Sequence, residues 1–201
     1  MSKGLKIGLG ILGGIIIVGF LLFTWIKNYY NEFVGLEQKV NNEWAKVESQ
    51  YQRRFDLVPN LVATVKGVAN FEKETYTAVT EARAKVGQIK LSTDQLNDPK
   101  AIEQFQQAQN GLGSALSRLL VVSENYPQLK ANENFINLQA QLEGTENRVN
   151  VARIEYNQAV ADFNTEIKKF PALVIANMTG FKEKQYFKAQ AGSEQAPKVQ
   201  F

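Results

Sequence analysis

The chain has neither cysteine nor histidine. Without cysteine there is no disulfide, no zinc thiolate site, no cysteine-attached haem and no lipoprotein anchor. Without histidine there is no histidine-based catalytic triad, few ways to hold zinc, and no Glu-x-x-His di-iron motif of the kind found in helical bundles. Charge is also scarce in net terms. Lys3 and Lys6 supply two of the +3, and the other 21 basic residues stand against 20 acidic ones, so the high isoelectric point does not indicate a nucleic-acid binder. Proline occurs only five times, at 59, 99, 127, 171 and 197. The pieces between prolines have helix length and lack strand-like alternation.

What is present begins with an apolar run. No charge occurs from Ile7 to Ile26, and Thr24 is the one clearly polar side chain. About 20 apolar residues suit a helix that crosses a bilayer. Trp25, Tyr29 and Tyr30 at its far end, next to Lys27, suit the headgroup zone. The stretch GLGILGG (8–14) contains Gly-x-Gly-x-x-Gly, but too few residues precede it for the strand a dinucleotide loop needs. The glycines are therefore read as part of the membrane helix. Gly10 and Gly14 share one helix face, and Gly4 and Gly8 repeat the spacing. Small residues four apart let two membrane helices approach closely, so they are candidates for helix packing. The residues after the run are too bulky for a signal-peptide cleavage site, so an uncleaved signal anchor is expected over 1–27. Lys3 and Lys6 on one flank and Lys27, Lys39 and Lys46 on the other argue for opposite orientations, and the charge rule assigns no side.

The 175 residues after Ile26 suit one domain. Phe33, Leu36, Val40, Trp44, Val47, Tyr51 and Phe55 recur at helical spacing, and no breaker separates this helix from the anchor. Asp56 as a cap and Pro59 as a first-turn residue predict a tight turn at 54–58 and a second helix to about Val86. A loop is expected over 87–98, and Asp98-Pro99 is a helix start with cap and proline in order. The fourth helix, about Asn132 to Lys169, has a seam of Phe135, Leu138, Leu142, Thr145, Val149, Ala152, Tyr156, Val160, Phe163, Ile167 and Phe170. Thr145, the polar member, can bond back to its own helix. The expected fold is all-α: a transmembrane helix, then an antiparallel up-down-up-down four-helix bundle with long helices over 28–170. A short apolar and basic segment covers 171–187, and a flexible tail is expected over 188–201.

Glu146 and Arg153 flank the seam on one side, Arg148 and Glu155 on the other, where charges pair between helices. Interhelical salt bridges are the plainer reading and an assembly surface the alternative. Arg53 and Arg54 fall at the expected turn, as a solvated tip or a partner contact. Phe170, Leu173, Val174, Ile175, Phe181, Tyr186 and Phe187 are mixed with Lys182, Lys184 and Lys188, which suits either a membrane interface or a strap folded on the bundle.

Several stretches resemble the LemA family of bacterial membrane proteins: RRFDLVPNLVATVKGVANFE (53–72), NYPQLKANENFINLQAQ (125–141), LEGTENRVNVARIEYNQAVADFNTEIKKFP (142–171), GFKEKQYF (180–187) and the ending APKVQF. The resemblance covers nearly the whole chain in order. It implies an N-terminal membrane helix with a helical bundle, no known enzymatic activity and a role at the membrane. The resemblance implies a histidine before Glu72, and this chain has Phe71 there. The expected protein is a non-enzymatic scaffold or self-assembling membrane-organising protein, and the alternative is an accessory binding module for another membrane or envelope protein. Its expected partners are the lipid bilayer and further copies of itself. No cofactor, metal, nucleic acid or small-molecule substrate is expected.

Overall fold

The computed structural model describes residues 3–68 and 71–188. Among these the chain is helical, with no strand. Helix α1 runs without a break from Lys3 to Lys66. It is followed by α2 (Lys73–Gln88), a 3-10 turn (Thr93–Gln95) and α3 (Pro99–Ser123). The short α4 (Pro127–Lys130), the long α5 (Glu133–Lys168) and α6 (Ala172–Thr179) complete the order. The expected flexible tail lies, from residue 189 on, outside the described residues.

The anchor and the first helix of the body are one element. The apolar run Ile7–Ile26 is solvent-facing around the helix and is long and apolar enough to cross a membrane. Burial begins at Phe33 and recurs at Val40, Trp44, Val47, Tyr51, Val58, Leu61 and Val65. A single helix thus changes from apolar all round to apolar on one stripe, the change expected when a lipid-facing segment becomes a core-facing one.

The turn predicted at 54–58 is absent, and Pro59 lies inside α1. Proline has no N–H for the carbonyl four residues back, so the Phe55 carbonyl loses its helical donor. The structure supplies another. Arg83 of α2 donates from Nε to that carbonyl at 3.2 Å, and its guanidinium lies 3.8 Å from the centre of the Phe55 ring. The chain turns back only at 67–72, where Gly67, Val68 and Phe71 bond to the carbonyls of Ala63, Val65 and Val68. The expected second helix is therefore divided between the end of α1 and the shorter α2.

Elsewhere the local signals hold. Asp98 caps α3, accepting from the Lys100 N–H at 2.9 Å, with Pro99 at the first helical position. Asn132 caps α5, accepting from Phe135 N–H at 3.1 Å. Thr145 donates back to the Gln141 carbonyl at 2.7 Å. Gly180 ends α6 in the left-handed region at φ 83°, where a residue without a Cβ is favoured.

α5 runs antiparallel to α1. Lys39 meets Asp162 at 2.8 Å, Lys46 meets Glu155 at 3.4 Å, and Arg54 meets Glu146 at 2.8 Å. The core has two clusters. One, nearer the anchor, joins Phe33, Trp44 and Tyr51 of α1 to Tyr156 and Phe163 of α5, Phe105 of α3 and Phe187. The other joins Val58, Leu61 and Val65 to Val79, Leu112, Leu119, Leu129, Phe135 and Leu142. Phe170, placed by the sequence pattern on the seam, is not in either: it is 86% exposed in the turn after α5. The helix has ended at Lys168, so its periodicity no longer governs that residue.

Candidate functional site: an extended strap clamped on the helices

After Gly180 the chain leaves the helical pattern and runs back along α5 in extended form from Phe181 to Lys188. Side-chain amides hold its backbone. Asn164 accepts from Lys184 N–H at 2.9 Å and donates to the Lys184 carbonyl at 2.9 Å. Asn157 does the same for Phe187, at 2.9 and 3.0 Å. Gln106 of α3 does it for Lys188, at 3.3 and 2.5 Å. Each amide imitates the donor and acceptor pair of a neighbouring strand.

The spacing explains the fit. Asn157 and Asn164 are two helical turns apart on α5, about 10.5 Å at 1.5 Å per residue. Lys184 and Phe187 are three extended residues apart, about 10 Å at 3.4 Å per residue. A helix with asparagine at heptad spacing is therefore in register with an extended peptide running the opposite way. Gln185 adds two bonds between the clamps: its N–H donates to the Leu96 carbonyl at 2.8 Å, and its carbonyl accepts from the Tyr156 hydroxyl at 3.0 Å.

The strap's side chains are anchored as well. The Phe187 ring stacks on Trp44 with centroids 6.0 Å apart and meets Tyr156 edge-on at 5.4 Å. Arg153 lies over the same ring at 4.8 Å and donates to the Lys188 carbonyl at 3.0 Å. Lys184 is buried and pairs with Glu37 of α1 at 2.8 Å. Burial pushes the Tyr156 phenol well above its ordinary pKa. Tyr51 is also raised by burial, with Arg153 and Arg54 opposing.

This arrangement relocates several residues expected at the membrane or at an assembly surface. Phe187 is a core residue, 5% exposed, and not an interfacial one. Of the two readings of this segment, the strap describes residues 181–188. Tyr186 is exposed, and Phe181 is half-buried against Tyr30, Phe33 and Phe163. Arg54 is not on a tip: with the turn gone it lies inside α1, 4% exposed. Its guanidinium donates to Glu146 at 2.8 Å and to the Gln109 side chain and carbonyl at 2.6 and 3.0 Å. Arg53, its neighbour, faces solvent. Arg148 bonds to Gln50 at 3.3 Å, and Glu155 pairs with Lys46. Glu146 and Glu155 thus pair with cations of α1 across the two helices, whereas Arg148 bonds to Gln50 and Thr145, Arg153 holds the strap, and Arg54 fits neither reading of a tip.

At the other end, Trp25, Lys27 and Tyr30 are exposed where the apolar run ends, and Tyr29 packs against the core cluster. Around Gly4, Gly8, Gly10 and Gly14 an added methyl would meet nothing within 4 Å, so the glycines serve no packing inside the chain. Phe71, at the position noted for its departure from histidine, is buried with its ring 4.8 Å from Tyr126. Among the described residues no group of three acidic side chains could hold a metal ion.

A sequence model of the LemA family matches residues 43–201, more than three quarters of the chain. The chain belongs to the LemA family. Its similarity extends to the magnetosome protein MamQ 2 of Paramagnetospirillum magneticum, 26% identical over 96% of this chain and 76% of the relative. MamQ of Magnetospirillum gryphiswaldense is 28% identical over 82% of this chain and 66% of its own length. Protein LemA of Metamycoplasma hominis is 22% identical over 80% of this chain and 68% of the relative. The matched region of the LemA-family model contains every clamp residue, whereas the apolar run precedes it. The chain is a membrane-associated helical protein of this family.

Proposed function

We propose that this protein is a non-enzymatic, single-pass membrane scaffold: an antiparallel up-down-up-down helical bundle that stands on its anchor and assembles with copies of itself. The observation that carries this reading is the unbroken α1, 64 residues from apolar run to the far end of the core. At 1.5 Å per residue it is about 96 Å long. A body joined to its anchor through a continuous helix keeps one orientation relative to that anchor, as an assembling unit requires. The unused glycine face of the membrane segment offers a second copy a close approach. Two of the similar proteins are named as magnetosome proteins, and an organising role accords with that.

A binding module is the second reading. A cleft of about 500 Å³ between α3 and α5 is floored by the buried Arg54 and lined by Gly113, Ser114, Ser117 and Glu143. Crosslinking in native membranes separates the two. Self-adducts are expected from the scaffold. Adducts to one other protein, with no self-adduct, would overturn it in favour of the binding module.

A further inference from the structure

The body exposes an apolar patch at the end nearest the anchor. Phe170 is 86% exposed and Met178 75% exposed, and Leu173 and Val174 face outward on the same side of the turn and α6. The inner face of α6, Ala172, Ile175 and Ala176, is buried in the core cluster against which Tyr29 packs. An eight-residue helix apolar on both faces has buried one of them in this chain and left the other without cover.

The patch sits close to the level at which the apolar run ends. Lys169 feels the charge of Glu32, and Phe181, just after α6, touches Tyr30 with ring centroids 5.7 Å apart. Tyr30 is four positions beyond Ile26, about 6 Å along the helix. The headgroup zone extends roughly 5 to 8 Å beyond the hydrocarbon on each side. α5 descends towards the anchor, so the turn at Phe170 is the part of the body that reaches lowest. Lys168 and Lys169 precede Phe170 and pair with Glu183 and Glu166 at 2.6 Å each, and Lys182 follows α6, so the apolar face has a charged rim of both signs.

We propose that Phe170 and the outer face of α6 are a second membrane contact, seated in the headgroup zone of the leaflet that α1 leaves. This rests on the reading of residues 7–26 as a membrane anchor. The patch lies beside the place where that anchor ends, with Phe181 against Tyr30, and this makes the bilayer its occupant. With two contacts, the body cannot swing about α1, and its height and rotation above the membrane are fixed.

The chain has no cysteine, so single reporters can be placed cleanly. Full-length Val174→Cys, Met178→Cys, Ile16→Cys and Val121→Cys variants, each carrying an environment-sensitive fluorophore, are reconstituted into phosphatidylcholine and phosphatidylglycerol vesicles. Some vesicles carry a lipid with a nitroxide near the headgroup. Labels at 174 and 178 are expected to be quenched by the nitroxide lipid and shielded from aqueous iodide. The label at Val121, 70% exposed at the far end of α3, is expected to show the reverse. If 174 and 178 are as open to iodide as 121, the contact does not exist. Shielding from iodide without lipid quenching means that a second protein copy covers the patch, and this also overturns the proposal. The Ile16 label, near mid-bilayer, is read with a nitroxide placed deep in the acyl chain and isolates the anchor: no quenching there refutes the anchor reading, whereas quenching at 16 alone refutes only the second contact.

Discussion

Arg83→Met tests how α1 passes through Pro59. In the parent chain the substitution removes the donor at 3.2 Å from the Phe55 carbonyl and the cation over the Phe55 ring. A hydrogen bond from a charged donor contributes about 1.5–3 kcal/mol, and a cation over an aromatic ring about 0.5–2 kcal/mol. Arg83 is half-buried, which favours the lower part of each range and a total cost of about 2–3 kcal/mol. In a Pro59→Ala background the residue 59 N–H returns to the Phe55 carbonyl, and the arginine's hydrogen bond becomes redundant. There Arg83→Met costs only the ring contact, about 1 kcal/mol. The double-mutant cycle therefore has a coupling of about 1–2 kcal/mol. Urea unfolding of the full-length protein in mild detergent, followed by circular dichroism, measures all four corners. Equal costs of Arg83→Met in the two backgrounds, within about 0.5 kcal/mol, would show that the arginine does not stand in for the missing N–H.

The strap gives two more tests. Asn164→Ala leaves the Lys184 N–H and carbonyl without their partner in a buried site, at a cost of roughly 1–3 kcal/mol. Amide exchange of residues 184–187 is expected to accelerate before that of α1, and unchanged exchange would contradict the clamp. Tyr156 is held neutral by burial, with its folded pKa above the unfolded value near 10. Its contribution is fully present below about pH 10 and is lost as pH rises towards the folded value. Melting temperature should fall between about pH 9.5 and 11, less steeply in Tyr156→Phe, which keeps the ring; an identical alkaline slope in the variant contradicts the assignment.

Much of this architecture was legible in the sequence, in particular residues. The apolar run and the absence of a breaker after it anticipate a single helix from anchor to core. Asp98-Pro99 and Asn132 mark their helix starts because capping is local, satisfied within three residues. Pro59 misleads because its compensation is not local. Arg83 lies 24 positions further on in another helix, and no rule about neighbours can find it. The same error displaces Arg53 and Arg54 from mid-helix to a tip. The strap was harder to read. Its backbone bonds go to Asn157, Asn164 and Gln106, and Phe187 looks interfacial until Trp44, Phe105 and Tyr156 are seen around it. The signal in the sequence was asparagine at heptad spacing beside the α5 seam, at 150, 157 and 164, of which the strap uses the last two.

Self-assembly into a membrane scaffold is measured by counting subunits. The full-length Val121→Cys chain carries one dye each at the far end of the body and is reconstituted sparsely in planar bilayers, and the bleaching steps in each spot are counted. Several steps per spot are expected for this chain, and fewer when Gly10→Leu and Gly14→Leu are added, because leucine holds the membrane helices apart. Single steps throughout the parent sample would contradict self-assembly. Several steps that persist unchanged with both leucines would leave assembly standing but move it from the glycine face to the helical body.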